Sequence, residues 1–484
     1  MTEPTKSGGR RVATSHADPA PPRIPRRLIE GDTAAKHRAY GRSIRMEVPL
    51  SAHGDWTPPP DRPDPVALLM EQSATRVEDL VPIRYGRMLV SPFTFLRGAA
   101  LPMAADLARL PSSGIYVQAC GDAHLSNFGV FATPERRLSF DVNDFDETHP
   151  APFEWDIKRL AASIVVAALG ADYPEPTARR ITRAAVEAYR TEMRKLAAMT
   201  FLEAWYERID VTAMLQEIEQ RGSARQKKVA KRAVEKASTE TNLGSLGRLA
   251  QRTDAGWRIR EDPPLIVRFH GTPAQDAALR EGFKAYRRSL GRDMQPVFDA
   301  YRAVDWARKV VGVGSIGTQA FIFLNIGLRN GDAVFLQVKE AQPSVLSRYT
   351  EVSTVKQNGE RVVTGQRIMQ AASDRFLGWV RIDGLGRPYD FYVRQLRDWK
   401  MSYEVGSGQE KRFATYARFC ALALARAHAR SGSASAIAGY LGKGDTFDRA
   451  IESFAVTYAD QNERDYQALQ QAEADGRIEV RHGV

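Results

Sequence analysis

The sequence predicts an α+β fold, and three features carry that expectation. A short strand-rich block spans residues 114–145 and closes with an apolar helix. A second and longer strand-rich block begins at Lys309. The text before, between and after them has helical periodicity. Apolar residues make up 43% of the 484 positions and charged residues 26%, which is ordinary globular usage, so a buried core is expected rather than disorder or a fibrous repeat.

Residues 1–64 mix Pro, Gly, Ser and Arg, end in WTPPPDRPDP, and read as a flexible basic arm with little core. Residues 65–172 read as a helical lead-in followed by a strand-rich segment. In it, GIYVQACG (114–121) reads as a buried strand, RRLSFDVNDF (136–145) as a second, and DIKRLAASIVVAALG (156–170) as a buried helix. Residues 173–304 read as a mostly helical insertion containing the basic run SARQKKVAKRAVEKA (223–237). Residues 305–400 form a β-rich segment with Gly-rich turns, RNGD as a hairpin signal, the helix GQRIMQAASDRF, and the strands GWVRID and YDFYVRQLRDWK. Residues 401–484 read as helices.

Two cysteines, Cys120 and Cys420, exclude a disulfide framework and a cysteine-rich zinc site and favour a reducing, cytoplasmic setting. No apolar leader precedes the fold, and LAASIVVAALGA (160–171) is too short to span a bilayer, so a soluble protein with no membrane partner is expected. The formal net charge of +11 suits either an anionic ligand or a solvated basic surface. Nucleic acid is disfavoured as a partner, because no aromatic residues interleave the 223–237 charges to stack on bases.

Chemistry concentrates at CGDAHLSNFG (120–129), with Asp122, His124 and Asn127, and at FDVNDFDET (140–148), with Asp141, Asp144, Asp146 and Glu147. Side chains alternate along a strand, so Asp144 and Asp146 are expected on one face. Carboxylate and amide oxygens from neighbouring strand ends make a hard-oxygen set suited to Mg²⁺ held together with phosphate, leaving Asp122 to accept a proton from a hydroxyl. The competing reading is helix caps, turns and pairing with nearby arginines. SPFTFLRG (91–98) places Arg97 nearby, after Arg84 and Arg87. These arginines suit phosphate bidentately, but pairing with the acidic cluster is the favoured expectation.

The order GDxHxxN, a second Asp, then WDIKRLA resembles the catalytic core of the aminoglycoside phosphotransferase and choline kinase type of small-molecule kinase, over about residues 120–164. Through SPFTFLRG, CGDAHLSNFG, FDVNDFDET and YADQNERDY the whole chain also resembles a widespread bacterial family known only as a domain of unknown function. The kinase resemblance implies a two-lobed fold that uses ATP and Mg²⁺. It makes Asp122 the catalytic aspartate with His124 beside it, Asn127 and Asp144 metal ligands with Asp146 assisting, and Asp156 the brace of the catalytic loop. Cys120 replaces the histidine usually found before the Gly-Asp pair, which leaves the bracing of the loop open.

No phosphate-covering loop fits upstream of Asp122. Downstream, VGVGSIGTQAFIFL places Gly312, Gly314, Ser315 and Gly317 in a turn, and Lys339 follows on a strand. That pairing resembles the glycine loop and phosphate-gripping lysine of a kinase nucleotide lobe, although a hairpin turn reads equally well. Accepting both halves makes the kinase order circularly permuted, with 418–432 standing for the helix that ordinarily precedes the catalytic loop. Glu351 and Glu360 are both candidates for the acidic partner of Lys339. His428 reads as a core histidine, and YADQNERDY, oddly polar for a helix, suits lining the site or bridging lobes, with a surface helix as the default reading.

The resulting expectation is a phosphotransferase acting on a hydroxyl of a small molecule or, less favoured, of a protein, with nucleotidyl transfer left open. The alternatives are a catalytically silent nucleotide-binding scaffold and a nucleic-acid-binding protein.

Overall fold

The computed structural model describes residues 33–212, 242–254, 256–268, 272–310, 312, 314, 316–329, 332–350, 353, 355–396 and 409–484. The basic run 223–237, Ser315 and Glu351 lie outside the described residues. The architecture is mixed α+β, with several small sheets set against a helical body.

The helices before the first strand are α1 (Ala34–Glu47), α2 (Pro65–Ser73), α3 (Val81–Met88), α4 (Pro92–Gly98) and α5 (Ala100–Leu107). Their starts are written locally. Asp64 and Thr33 accept from the first-turn N–H groups of α2 and α1, and Ser91 with Thr94 forms a reciprocal cap on α4 behind Pro92. Residues 34–60 are not a loose arm. Helix α1 packs against the later helix Ala434–Leu441, where Arg45 Nε donates to Tyr440 O at 2.8 Å, and Leu50 and Trp56 enter the main core.

Strands β1 (Tyr116–Ala119), β2 (Phe128–Ala132), β3 (Leu138–Val142) and β4 (His149–Pro152) lead into α6 (Phe153–Leu169). β1 pairs antiparallel with β4, while β2 and β3 form a separate hairpin extended by β5 (Ile209–Asp210). This corrects the simple strand, loop, strand, helix unit. β3 ends at Val142, so Asp144 and Asp146 lie in the loop beyond it rather than on a strand face.

After α7 (Glu175–Leu196) and α8 (Phe201–Tyr206), the chain continues through α9 (Asn242–Leu249), β6 (Ala250–Thr253), β7 (Gly256–Ile259) and β8 (Ile266–Arg268); β5 to β8 are strands that the mostly helical expectation for 173–304 missed. Helices α10 (Pro273–Ser289) and α11 (Gln295–Asp299) precede β9 (Tyr301–Lys309), β10 (Ala320–Gly327) and β11 (Ala333–Glu340). Then come α12 (Asn358–Met369), β12 (Gly378–Ile382) and β13 (Tyr389–Gln395). Strands β8 to β13 form a six-stranded antiparallel sheet in the order β12-β13-β11-β10-β9-β8. Alternation along β11 sends Val334, Leu336 and Val338 into an apolar cluster with Leu279 and Tyr286 of α10. Gln337 and Lys339 face the other way.

Helices α13 (Glu410–Ser431), α14 (Ala434–Leu441) and α15 (Thr446–Ala474) complete the body. α13 packs against β1, α6 and α7, and the main core joins them. The polar YADQNERDY stretch of α15 is not a surface helix. Asp465 is 4% exposed and Asn462 2%, and the Arg62 guanidinium bridges Asp465 (2.6 Å) and Asp106 (2.8 Å), binding α15 to the N-terminal helices. Among the described residues, no helix is long and apolar enough to cross a membrane.

Candidate functional site

The loop from Cys120 to Asn127 is held from below by one carboxylate. Asp156, on the first turns of α6 and 1% exposed, accepts from the backbone N–H of Cys120 at 2.6 Å and of Gly121 at 2.9 Å. His428 of α13 meets Oδ2, the oxygen that Cys120 N–H uses, at 3.1 Å through Nε2, while its Nδ1 meets the Tyr189 hydroxyl at 2.8 Å. His428 is thus a packed histidine with a specific task, and it ties the brace to α13. Gly121 adopts φ +79°, and a side chain there would strike the Glu147 carbonyl. Only glycine permits both conditions. The Cys120 thiol, its pKa pushed well up by burial, lies 3.6 Å from Asp144 O.

Asn127 ends a 3-10 turn (Leu125–Asn127) and is 4% exposed. Its Nδ2 donates to two carbonyls, Asp122 O at 2.9 Å and Asp144 O at 3.1 Å, which fixes which end of the amide is which. The carbonyl end, Oδ1, is buried with no hydrogen-bond partner, as is Asp144 Oδ1. Both residues line a cavity of about 290 Å³ that also takes in Asp122, Asp146, Gly314 and Lys339.

Lys339, 2% exposed, reaches from β11 into this cavity, 2.6 Å from Asp146 Oδ2 and 3.5 Å from Asp144 Oδ1. Burial alone would pull its ammonium down, but the two carboxylates outweigh that and hold its pKa above the ordinary value. The Tyr392 hydroxyl donates to the other Asp146 oxygen at 2.6 Å. Asp146 is therefore the acidic partner of Lys339. No ion pair joins Glu360, on the first turn of α12, to the lysine among the described residues.

Asp122 lines the same cavity. Its Oδ1 receives Arg159 Nε at 2.9 Å and Nη2 at 2.7 Å, while Oδ2 lies 3.5 Å from His124 Nε2. Burial pulls the His124 imidazole down to about 3, so it is neutral at physiological pH. Glu147 opens onto the same cavity, accepts from Val345 N–H at 2.7 Å, and is pushed up to about 7, chiefly by burial. Asp141 is not part of the site. It points the other way, accepting from Ala371 N–H at 3.1 Å.

Gly312 and Gly314 line the cavity, and the turn ends at Gly317 with φ +89°. Arg76 holds this turn from outside, donating to the Ile316 carbonyl and to Gly314 O at 3.0 Å, and Val77 N–H donates to Gly317 O at 2.7 Å. Of the upstream arginines, Arg84 is fully buried on Ser73, Gln72 and Gly98 O, and Arg87 donates to Val484 O. Neither touches the acidic cluster. Arg97 lines the cavity without an ion pair among the described residues.

Sequence reasoning missed Arg159, Tyr392, Arg394 and Gln337. Arg159 carried a signal, since it follows Asp156 by one helical turn and must face the same loop. The other three depend on strand register, with Tyr392 opposite Lys339 and Arg394 opposite Gln337.

Residues 76–472 match the model of DUF2252, described as an uncharacterized protein conserved in bacteria. No curated protein and no solved structure matches the chain. Asp122, Asn127, Asp144, Asp146 and Lys339, with the rest of the cavity lining except Gln72, lie inside the matched span, and the chain belongs to the DUF2252 family.

Proposed function

We propose that the cavity is the site of a nucleotide-dependent phosphotransferase that moves the terminal phosphoryl group of ATP to a hydroxyl of a small molecule. The observation that carries this reading is the Asn127 amide. A buried carbonyl oxygen with no partner, locked in orientation by two hydrogen bonds from the other end of the same amide, is costly unless something binds it. It shares the cavity with an Asp144 oxygen that accepts no hydrogen bond and has only the buried Lys339 ammonium for company, 3.5 Å away.

Two hard oxygens and an ammonium fit a magnesium nucleotide, and Asn127 and Asp144 would hold the metal, which when bound neutralises phosphate charge. Lys339 is placed to grip phosphate oxygens, and freed backbone at Gly312 and Gly314 approaches them without side-chain obstruction. Asp122, with one oxygen occupied by Arg159, presents the other to an acceptor hydroxyl, which it orients and from which it takes the proton. Asp146 serves the lysine first. Its expected part in metal binding would require Lys339 to release it.

The order of these parts supports a permuted kinase arrangement. The catalytic loop comes early, the lysine strand late, and α13 packs behind β1. The test is thermal unfolding with a nucleotide panel, with and without Mg²⁺, followed by phosphate-transfer assays on metabolite pools with wild type and Asp122→Asn. Mg²⁺-dependent stabilisation by ATP and transfer lost in the variant are expected. Stabilisation without any transfer would instead favour a nucleotide-binding scaffold.

A further inference from the structure

Four carboxylates line the cavity, and each already has its partner. Asp122 is paired with Arg159 at 2.7 Å, Asp144 and Asp146 with Lys339 at 3.5 and 2.6 Å, and Glu147 with the Val345 N–H at 2.7 Å. Arg97 is surplus to this balance. Its guanidinium has no ion pair and no hydrogen bond among the described residues, and its Nε is buried without a partner. It lines the same cavity as Asp122 and Asp144, and although those carboxylates favour its charge, burial outweighs them and draws its pKa down. A methyl group on Gly314 would come 3.6 Å from the Arg97 carbonyl. Arg97 therefore stands where the glycine turn meets the two aspartates, on α4, whose Ser91 and Thr94 cap holds its first turn.

A partly buried cation with a buried, unpartnered Nε is unfavourable in the empty site and becomes favourable when an anion arrives. The 122–127 loop supplies no permanent cation of its own, since His124 is neutral. We propose that Arg97 is a catalytic residue that binds the phosphoryl group during transfer, an inference that rests on the phosphotransferase reading above. In that step the acceptor oxygen bonds to the terminal phosphorus as the bond from phosphorus to the bridging oxygen breaks. The nucleoside diphosphate leaves with that electron pair, and the hydroxyl proton passes to Asp122. Charge spreads over the three oxygens of the moving group, and a planar guanidinium meets two of them at once.

The test measures ADP·Mg²⁺ affinity with and without aluminium fluoride, a mimic of the phosphoryl group in flight, on wild type, Arg97→Lys and Arg97→Gln. Fluoride should tighten ADP binding to wild type on the order of 10²-fold, as transition-state mimics do. Arg97→Gln should bind ADP·Mg²⁺ normally and lose the tightening, Arg97→Lys should retain part of it, and the unfolding temperature of Arg97→Gln should equal or exceed that of wild type. Tightening that persists in Arg97→Gln, or its absence in a wild type that binds ADP, overturns the role of Arg97 and leaves the nucleotide reading standing. A destabilised Arg97→Gln that no longer binds ADP makes the arginine structural and also overturns it. A wild type that binds no ADP removes both inferences.

Discussion

Lys339 and Asp146, separated by 193 residues in the chain, meet at 2.6 Å inside the cavity. The contact joins the six-stranded sheet to the loop after β3, and the Tyr392 hydroxyl holds the carboxylate from its other side. Without the lysine, Asp144 and Asp146 would lose the ammonium that both of them contact. Lys339→Met is therefore expected to lower stability by about 3 kcal/mol, as breaking a buried pair does. Millimolar Mg²⁺ should raise the unfolding temperature of this variant more than that of wild type, because the ion takes over the lost charge. An equal response of the two proteins to Mg²⁺ would separate the acidic pair from metal binding.

Asp122 has two separable duties. In the proposed transfer it orients the acceptor, and in the fold it neutralises Arg159, whose side chain is 4% exposed. Asp122→Ala should lose transfer by about 10²–10⁴-fold and also unfold earlier, since it leaves a buried guanidinium unpaired. Asp122→Asn should lose comparable activity with a smaller loss of stability, because its amide oxygen still accepts from Arg159. ATP affinity should survive in both. Its collapse in a folded Asp122→Asn would reassign Asp122 to the phosphate or metal.

Asp156 supports the loop through two backbone N–H groups and His428. Leaving buried donors unsatisfied costs about 1–3 kcal/mol each, so Asp156→Ala should destabilise by more than about 2 kcal/mol in denaturant unfolding. Amide exchange at Cys120 and Gly121 should accelerate beyond the global effect. Unchanged protection at those two amides would place the brace elsewhere.

Much of this was legible in the sequence, for local reasons. Asp122, Asn127, Asp144 and Asp156 lie within 35 residues of one another, and short-range spacing constrains their geometry. The arrival of Lys339 was readable as a motif, but its partner was not, because Asp146 meets it through a tertiary approach that no local pattern encodes. The same holds for Tyr392, whose place is set by its register opposite Lys339. Helix α1 was misread because its mean composition is polar and only Gly41 and Ile44 are buried. The α15 stretch was misread because polarity signals solvent, whereas Asp465 is buried against Arg62.

Glu147 carries the pH dependence of the site. Its folded pKa of about 7 lies above the ordinary 4.5, so the fold favours its neutral form. That contribution to stability is full below about pH 4.5 and is lost as pH rises to about 7. Glu147→Gln keeps an oxygen for Val345 N–H and cannot ionise. Its unfolding temperature relative to wild type should rise between pH 5 and 8, and a constant difference would contradict the shift.

The most direct measurement is calorimetric titration of ATP into wild type and Asp144→Asn, each with and without Mg²⁺. Wild type is expected to bind ATP more tightly with Mg²⁺, and the Mg²⁺ effect should weaken at least about tenfold in a folded Asp144→Asn, the equivalent of one charge-assisted contact. No ATP binding to wild type, or Mg²⁺-dependent binding unchanged in Asp144→Asn, would contradict the magnesium nucleotide reading of the cavity.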